Sequence, residues 1–414
     1  MKILHVVHQY LPEYVGGTEF YTQSIAQGLA QRGHQVGVFY RRDGLSTGLD
    51  SRQADDGLQI WAVQAGPLSA RRRFMASFRE KTISEAFDQV LAQFQPELIH
   101  IQHLMGLPLD MVDHIRRRQI PFIITLHDYW WICANAQLLT NYSQQLCQGP
   151  QAYFNCGRCA LARAGRPSLW PALPPLAAVL AWRNRRLRQI LNEADILIAP
   201  TEFTANWYQQ HGVSAERLRV MPHGLDISLA PLQRKRDKNS PFRFAFIGGL
   251  SWQKGVHILL EAFRGLNTDS ELWLAGDEAT DPSYVERLRS LASPQVRFLG
   301  KLDREAVWRL LSQVDVVVVP ALWYESFSFI ISEAFAAGLP VVASRLGSLA
   351  DRVEDEVNGL LVPPGDSQAL QQALLRICQE PDLWPRLQAG IRPVRTINDY
   401  LIQLEAIYQA ALSS

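Results

Sequence analysis

The sequence predicts an α/β fold built from two parallel, doubly wound sheets. Short apolar segments alternate with amphipathic helical segments through both halves of the chain, an order that is typical of βαβ units. Some apolar segments, such as Val316–Val319, have no polar break, as expected for a strand that is covered on both faces. A charged stretch at 229–241 lacks apolar periodicity, and we interpret it as the linker between two domains.

Length and charge narrow the classes of protein to consider. A chain of 414 residues is long enough for two or three domains, each with its own core. The net charge of +1 gives no reason to expect nucleic-acid binding. The apolar run after Met1 ends at His5, and no stretch approaches the roughly 20 apolar residues of a membrane span. We therefore expect a cytoplasmic protein and leave open its peripheral attachment to the inner membrane face.

The first domain is predicted at 1–228 and opens with a strand at 3–7. The following loop contains Gly16 and Gly17 and leads into a helix that ends near Gly33. Glycines let backbone N–H groups approach an anion, although a plain tight turn is the commoner reason for such a pair. Further strands are predicted at 58–63, 98–101, 122–126, 196–200 and 218–221, and further helices at 83–94 and 107–117.

His127 directly follows the predicted strand at 122–126. It therefore lies at the carboxyl edge of the sheet, where open α/β sheets bind ligands. A histidine at this place can bind a ligand, or it can pack and close the end of the strand.

Four cysteines lie in a predicted loop at 129–160 with the spacing C-x13-C-x8-C-x2-C. A loop of this length needs something to hold it, and four thiolates can bind Zn or an iron–sulfur cluster. Reduced free thiols are our second interpretation and disulfides our third. Four sulfur ligands leave no open position, so the metal would be structural and none is expected for catalysis. The four residues are Cys133, Cys147, Cys156 and Cys159.

Two arginine clusters, at 71–79 and 183–188, lie next to aromatic residues. The second cluster falls on a helix predicted between Pro171 and Asp195 and includes Trp182 as its neighbour. Arginines and aromatic residues on an amphipathic helix can dock on anionic lipid headgroups. A helix that faces the core and has a solvated basic side is an equally good interpretation.

The second domain is predicted at 242–391, with its first strand at 242–247. Gly248 and Gly249 follow that strand, and Lys254 stands at the start of the next helix. A lysine behind glycines at a helix N-terminus is a phosphate-binding arrangement, and an ordinary surface lysine is the alternative. The remaining strands are predicted at 272–275, 296–300, 316–319 and 341–343.

Two glutamates lie after the predicted strand Val316–Val319. Glu325 is on the loop that follows the strand, and Glu333 is about one and a half turns into a helix that stops at Gly338. Eight helical residues rise roughly 12 Å, beyond the roughly 5 to 9.5 Å between paired hydrolytic carboxylates, so we assign one task to each. The alternative is that Glu325 complements the helix dipole and Glu333 is solvated. Backbone N–H groups that suit a phosphate are those of Ser328, Phe329 and Ile330.

The segment from Glu325 to Ser344 resembles the Glu-x7-Glu signature of family 4 retaining glycosyltransferases. The residues at 358–366 are similar to the segment that follows the signature in that family, and Lys254 with Gly255 matches its Lys-Gly pair. The resemblance extends over nearly the whole chain. Two positions depart from the family pattern: Gly249 stands where an arginine is usual, and Ser328 stands where a glycine is frequent.

The resemblance implies a GT-B fold, in which two Rossmann-like, doubly wound domains face each other across a cleft. It also implies that a sugar moves from a nucleotide diphosphate sugar to a hydroxyl of a sugar, lipid-linked or small-molecule acceptor. Glu325 would orient the donor sugar, Glu333 the ribose and His127 the sugar from the first domain, while Lys254 would bind the diphosphate. A C-terminal helix at 392–414 would return to the first domain.

Two other functions remain open on the sequence alone. A nucleotide-sugar epimerase or hydrolase of the same architecture would turn over the donor without an acceptor. A non-catalytic protein that binds sugar nucleotides would have no turnover.

Overall fold

A computed structural model describes residues 1–44, 47–66, 74–78, 80–231, 236, 240–266, 268–279 and 281–413. The chain divides into two compact units. Unit 1 comprises Met1–Gly224 and Ile397–Ser414, and unit 2 comprises Leu225–Thr396. The predicted linker at 229–241 falls partly outside the described residues, which omit 232–235 and 237–239.

Unit 1 contains an eight-stranded sheet in the order β3-β4-β2-β1-β5-β6-β7-β8. Its strands are β1 (Lys2–Val7), β2 (Gln35–Asp43), β3 (Gly48–Gln53), β4 (Gln59–Ala65), β5 (Leu98–Ile101), β6 (Phe122–Thr125), β7 (Ile196–Ala199) and β8 (Leu218–Val220). Its helices before the linker are α1 (Gly17–Gln31), α2 (Lys81–Phe94), α3 (Met111–Arg117), α4 (Phe154–Arg163), α5 (Leu173–Glu193) and α6 (Glu202–Gln210). All neighbouring strands are parallel except the β3–β4 pair.

Strand β1 lies at the centre of this sheet because Ile3 pairs with Val36 on one side and with Leu98 on the other. The chain leaves β1 toward β2 and later returns to the opposite side as β5. That reversal of strand order is the topological switch point at which α/β sheets bind ligands.

Several details of unit 1 differ from the prediction. Strands β2 and β3 were not predicted, and β3 is antiparallel to its neighbour, so the sheet is not purely parallel. Helix α3 begins at Met111 rather than at Leu107. Pro108 disfavours the helical conformation of Leu107, the residue before it. The loop predicted at 129–160 also contains the start of a helix, since α4 begins at Phe154.

Unit 2 contains a six-stranded, fully parallel sheet in the order β11-β10-β9-β12-β13-β14. Its strands are β9 (Phe242–Ile247), β10 (Ser270–Ala275), β11 (Val296–Gly300), β12 (Val316–Val319), β13 (Val341–Ser344) and β14 (Gly359–Val362). Its helices are α7 (Val256–Arg264), α8 (Pro282–Leu291), α9 (Arg304–Leu311), α10 (Phe329–Ala336), α11 (Ser348–Arg352), α12 (Ser367–Gln379) and α13 (Leu383–Ala389).

Strand β12 shows why its sequence has no polar break. Val316 and Val318 pack into the core on one face of the sheet, against residues of α7 and α12. Val317 and Val319 pack into the core on the other face, against residues of α9 and α10. Both faces are therefore covered, and the predicted bounds of this strand are confirmed.

The loops that follow β9 and β12 touch at the switch point of unit 2. Gly255 has a φ of 71°, and a Cβ atom at this position would lie 1.9 Å from the carbonyl oxygen of Pro320. The backbone N–H of Leu322 donates to the carbonyl oxygen of Gln253 at 2.8 Å. Only glycine fits at position 255, for both conformational and steric reasons. This contact fixes Lys254 next to the loop that carries Glu325.

The last helix of the chain, α14 (Ile397–Leu412), packs in unit 1. It begins five residues after the predicted start near Arg392, and its Tyr400 hydroxyl lies 2.5 Å from the hydroxyl of Tyr21. Tyr408 and His100 form a second buried hydrogen bond, at 2.7 Å. None of the described helices combines the length and the apolar character needed to cross a bilayer.

Candidate active site

Glu325 lies on the loop between β12 and α10, and its side chain is buried. The residue is only 8% exposed. One of its oxygens, Oε1, accepts hydrogen bonds from Lys254 Nζ at 2.6 Å and from the indole Nε1 of Trp323 at 2.8 Å. Lys254 and Glu325, which were predicted separately, therefore form an ion pair at the carboxyl edge of the sheet.

Lys254 also contacts Trp323 and is more exposed than Glu325. Its ammonium group lies 5.4 Å from the centre of the Trp323 ring, which adds a cation–π contact. Its side chain remains 29% exposed, whereas that of Glu325 is 10% exposed. A phosphate could approach the ammonium group without displacing Glu325. Trp323 was missed by the sequence analysis, although it is two residues from Glu325 on the same loop.

Glu333 lies within α10 and is 5% exposed. Its Oε1 accepts a hydrogen bond from Arg304, the first residue of α9. A buried carboxylate needs a partner of this kind, because burial of an unpaired charge is costly. The alternative interpretation, that Glu333 is merely solvated, does not agree with this burial. Arg304 was missed, although it follows β11 at the same edge of the sheet as Glu325.

The turn at the start of α10 contains an unusual backbone conformation. Ser328 has φ 63° and ψ 83°, the left-handed region that glycine adopts without strain. Helical bonding begins immediately, since the N–H of Ile331 donates to the carbonyl oxygen of Ser328 at 3.2 Å. The N–H groups of Ser328, Phe329 and Ile330 thus belong to the first turn of a helix of eight residues.

Gly248 and Gly249 follow β9 at the same edge. The N–H of Gly248 donates to the carbonyl oxygen of Ala275, and a Cβ atom on Gly276 would lie 2.2 Å from the carbonyl oxygen of Gly248. No heavy atom lies within 4 Å of a Cβ atom built on Gly249, among the described residues. The resemblance leads us to expect an arginine at position 249. There is open space beside this position.

His127 lies just past β6 in unit 1 and belongs to a buried chain of hydrogen bonds. Its Nε2 is 2.9 Å from Gln102 Oε1, and Gln102 Nε2 is 3.1 Å from His5 Nδ1. With the amide in this orientation, His127 Nε2 carries the proton. Burial, and then the nearby His223, hold the pKa of His127 well below its ordinary value. The imidazole is therefore neutral at physiological pH.

A second polar chain at the switch point of unit 1 was not predicted. His103 Nε2 lies 3.1 Å from a carboxylate oxygen of Asp128, and its Nδ1 accepts the N–H of Met105 at 3.0 Å. The rings of His103 and His8 are 4.5 Å apart, and His8 Nε2 lies 3.6 Å from Glu19 Oε1. His8 and His103 follow β1 and β5, so the edge rule that selected His127 also selects them.

The loop with Gly16 and Gly17 leads into α1 as predicted. Gly16 is extended, and a Cβ atom built on it would lie 2.5 Å from Glu19 Oε2. Glycine at position 16 therefore makes room for a buried carboxyl group, and burial raises the pKa of that group. This packing gives Gly16 a structural reason that does not depend on a phosphate.

The four cysteines come from one region of unit 1, and none of them forms a disulfide. Burial raises the pKa of Cys156 to about 12, and Cys133, Cys147 and Cys159 act on it in the same direction, so the four thiols are near one another. The N–H of Asn141 donates to the Sγ of Cys159 at 3.4 Å. No group of three or more histidine, cysteine, aspartate or glutamate side chains in the described residues is arranged to hold a metal ion.

The arginine cluster on α5 is not uniformly solvated, which corrects the prediction for Arg183. Arg183 is 1% exposed, donates to the carbonyl oxygen of Trp130 at 2.9 Å and lies over the Trp130 ring. Arg185 and Arg188 are exposed, and Trp182 is 57% exposed. Arg71, Arg72, Arg73 and Arg79 of the other cluster lie outside the described residues.

Two α/β units, each with a mostly or fully parallel sheet that has polar side chains at its carboxyl edge, agree with the GT-B class. Solved structures of this class match the chain over its length. Sucrose-phosphate synthase from Thermosynechococcus elongatus matches with a TM-score of 0.76 and 22% identity over 99% of both chains. HepE from Anabaena, in complex with UDP-glucose, matches with a TM-score of 0.71 and 19% identity over 99% of this chain and 100% of its own.

Sequence comparison narrows this class to one family. The family model for Glycosyltransferase Family 4 matches residues 15–229, and that for Glycosyl transferases group 1 matches residues 241–380. The glycogen synthase of Mycobacterium tuberculosis is 25% identical over 392 residues, which cover 92% of this chain and 87% of that protein. The chain belongs to glycosyltransferase family 4, and it is a glycosyltransferase.

Proposed function

We propose that this enzyme transfers a sugar, with retention of anomeric configuration, from a nucleoside diphosphate sugar to an acceptor hydroxyl. The observation that supports this most directly is the ion pair of Lys254 with Glu325, held between the loops that follow β9 and β12. A cation for a phosphate and a carboxylate for sugar hydroxyls stand side by side at the ligand-binding edge of unit 2. HepE, whose fold matches, was solved with UDP-glucose, a donor of this chemical class.

The diphosphate is bound by Lys254 and by the backbone amides at the start of α10. An ammonium group and the positive end of a helix both stabilise a phosphate oxygen. In the reaction the bond between the anomeric carbon and the phosphate oxygen breaks, and the electron pair stays on the leaving diphosphate. Charge therefore builds up on that oxygen in the transition state, and Lys254 with the α10 amides stabilises it.

The acceptor oxygen forms the new bond on the face of the sugar that the diphosphate leaves. Its proton goes to the leaving phosphate, so this step needs no protein base. In this assignment Glu325 accepts hydrogen bonds from the donor sugar. It is a catalytic residue because it contacts the reacting substrate. Its existing bonds to Lys254 and Trp323 fix the carboxylate before the sugar arrives.

Glu333 is assigned to the two hydroxyls of the ribose. A carboxylate offers two oxygens to two adjacent hydroxyls, and Arg304 already bonds to one of them, Oε1. Because the side chain of Arg304 is 39% exposed, it can turn toward water when the ribose takes its place. The role of His127 toward the donor sugar stays a prediction; its neutral imidazole suits a hydrogen bond to a hydroxyl rather than the stabilisation of charge.

Binding and transfer can be tested in two steps. A thermal-shift screen against UDP, GDP, ADP and their sugars identifies the donor, since a ligand at 100 times its Kd stabilises by about 2.7 kcal/mol. Incubation of that donor with candidate acceptors then separates transfer from hydrolysis. Nucleotide release that requires an acceptor, with the anomeric configuration retained in the product, supports the proposal. Equal release without any acceptor contradicts it.

We also propose that the four cysteines bind a structural metal, Zn or iron. Arg183 supports this: it is buried, and among the described residues no carboxylate lies within ion-pair distance of it. It interacts electrostatically with Cys133, Tyr208, Asp128 and Cys156. Four thiolates around Zn²⁺ carry a net charge of −2, which would balance a buried guanidinium. The N–H bond to Cys159 likewise favours a thiolate.

Elemental analysis of the purified enzyme tests this site. We expect about one Zn or iron per chain, and chelation should lower the melting temperature. The control is Cys378→Ser, which changes a cysteine of unit 2 and should leave the metal content unchanged. Four titratable thiols in a metal-free, fully stable enzyme would rule the site out.

A further inference from the structure

Ser328 is held in a backbone conformation that serine disfavours. Its φ of 63° places it in the left-handed region, at the residue that caps the N-terminus of α10. A side chain with a Cβ atom is strained there, and serine has no strong preference for this region, in contrast to glycine or asparagine. Such an outlier persists only where surrounding contacts hold it, so the contacts of this turn are informative.

Arg352, the last residue of α11, provides those contacts. Its Nη1 donates to the carbonyl oxygens of Phe327 and Ser328, the latter at 2.8 Å. Its Nη2 donates to Ser332 Oγ at 2.6 Å. The guanidinium carbon lies 3.7 Å from the centre of the Phe327 ring. The side chain of Arg352 therefore binds the carbonyl groups of the two peptide bonds on either side of the Ser328 Cα atom. It also binds the first turn of α10.

The two carbonyls determine where the N–H groups of the turn point. A peptide unit is planar and trans, so fixing the carbonyl oxygen of Phe327 fixes the N–H of Ser328 on the opposite side. Fixing the carbonyl oxygen of Ser328 does the same for the N–H of Phe329. Arg352 thus holds the carbonyls on its own side, and the amides face away from it.

The charge of Arg352 adds a second argument. Among the described residues, no carboxylate lies within ion-pair distance of this guanidinium. Burial lowers the pKa of Arg352 to about 9, because a positive charge is costly to bury when no anion lies beside it. The positive end of the α10 dipole lies at the same place. The Arg352 guanidinium and the N-terminus of α10 are both positive, and no acid in the described part of the chain neutralises them. Such a site is suited to bind an anion.

We propose that Arg352 is a positioning residue for the donor diphosphate: it orders the Ser328 turn so that the amides at the start of α10 face the phosphate. This inference rests on the proposed function of unit 2. The sequence has Gly249 at the position where an arginine is usual in the family. Arg352, from α11, would support the diphosphate site from a different position. A merely structural role, in which Arg352 only joins α11 to the loop, is the alternative.

Calorimetric titration with UDP, GDP and ADP distinguishes these roles. We expect Arg352→Met to weaken the binding of the nucleotide that the wild-type enzyme prefers by roughly tenfold. Because glycine adopts the left-handed conformation without strain, adding Ser328→Gly should recover more than half of that loss on a logarithmic scale. Ser328→Gly alone is measured as the reference for the double variant. The matched control is Arg345→Met, which removes an arginine of unit 2 that pairs with Asp355.

Melting temperatures of the same variants are measured in parallel. Arg352→Met with a lower melting temperature but unchanged Kd would overturn the inference, and so would a double variant that binds no better than Arg352→Met. If the wild type and Arg345→Met bind none of the three nucleotides, the proposed function itself fails and this inference fails with it. If the wild type binds and Arg352→Met binds equally well, only this inference fails.

Discussion

The carboxyl edges of the two sheets differ in charge. In unit 2 the edge carries ion pairs, Lys254 with Glu325 and Arg304 with Glu333, and a guanidinium at Arg352. In unit 1 the edge is lined by buried rings that touch one another, with His127 stacked on His223 and Tyr21 against both. Nine of the ten histidines of the chain belong to unit 1, and His257 is the one in unit 2.

This difference matches two kinds of ligand group. The ion pairs at the edge of unit 2 suit a diphosphate and a nucleoside, because one residue of a pair can release its partner and bind a ligand instead. Neutral imidazoles and hydroxyls suit uncharged hydroxyl groups, because desolvating them costs less than desolvating an ion. The same α/β architecture therefore supports two recognition chemistries, and the residues at the strand ends decide which.

The largest effect is expected for Lys254→Met. Removing one donor to a leaving group that gains negative charge should lower kcat by about 100- to 1,000-fold. Initial rates with a saturating donor measure this loss. Lys301→Met is the control, since Lys301 is an exposed lysine of unit 2 that pairs with Asp277 at 3.6 Å. If the Lys254 variant had wild-type turnover, the idea that the charged edge of unit 2 stabilises the leaving group would be contradicted.

A second pair of substitutions separates the two glutamates. Glu333→Ala should raise the Kd for the nucleoside diphosphate by roughly 10- to 100-fold, because a carboxylate that bonds to the ribose is lost. Glu325→Ala should mainly lower turnover and change that Kd little. Calorimetry and rates on both variants, with exposed Glu305→Ala as the control, test the assignment. Unchanged values in both variants would reject both roles.

The sequence predicted those parts of unit 2 that depend on local pattern. Val316–Val319 was predicted residue for residue because both faces of that strand are buried, and the stop at Gly338 agrees with its φ of 71°. Glu325 was selected because it follows a strand at the ligand-binding edge. Lys254 was selected because it lies behind glycines at the start of a helix, and Glu333 because it lies on the helix that follows Glu325. The same edge rule, applied to every strand, would also have selected Arg304, His8 and His103.

Contacts between side chains that are distant in the sequence could not be predicted. Nothing in the pattern around Arg352 indicates that its guanidinium reaches the carbonyls of Phe327 and Ser328, since that contact depends on how α11 packs. Helix α4 was missed because Phe154–Arg163 buries only Gly157 and Leu161, so its apolar periodicity is weak. Arg183 was placed on a solvated face because charge alone does not reveal which arginine is buried.

The histidines of unit 1 predict a dependence of stability on pH. Burial lowers the pKa of His5 to about 3 and those of His100 and His127 well below the ordinary value of 6.5. Below pH 6.5 the unfolded chain therefore binds more protons than the folded chain, and stability falls as the pH falls. The slope from each such histidine rises as the pH falls below 6.5 and has an upper limit of about 1.4 kcal/mol per pH unit.

Urea unfolding between pH 7.5 and pH 5 measures this slope. His5→Gln removes one titrating group and should reduce the slope near pH 5 by about 1.4 kcal/mol per pH unit, whatever it does to the stability at neutral pH. His257→Gln in unit 2 is the comparison variant, and it should also reduce the slope because burial lowers the pKa of this histidine as well. A slope that is unchanged by His5→Gln would show that the ring cluster of unit 1 does not titrate as its burial implies.

The smallest effect concerns the exposed side of α5, where Trp182 and Arg185 lie three residues apart on one face of the helix. If this face docks on anionic lipid, each basic residue contributes about 1 kcal/mol, so Arg185→Ala should lower partitioning onto phosphatidylglycerol vesicles about fivefold. Sedimentation with these vesicles and with neutral phosphatidylcholine vesicles measures it. Arg309→Ala, which removes an exposed arginine of unit 2, is the control. Equal recovery on both kinds of vesicle would mean that the basic side of α5 is simply a solvated surface.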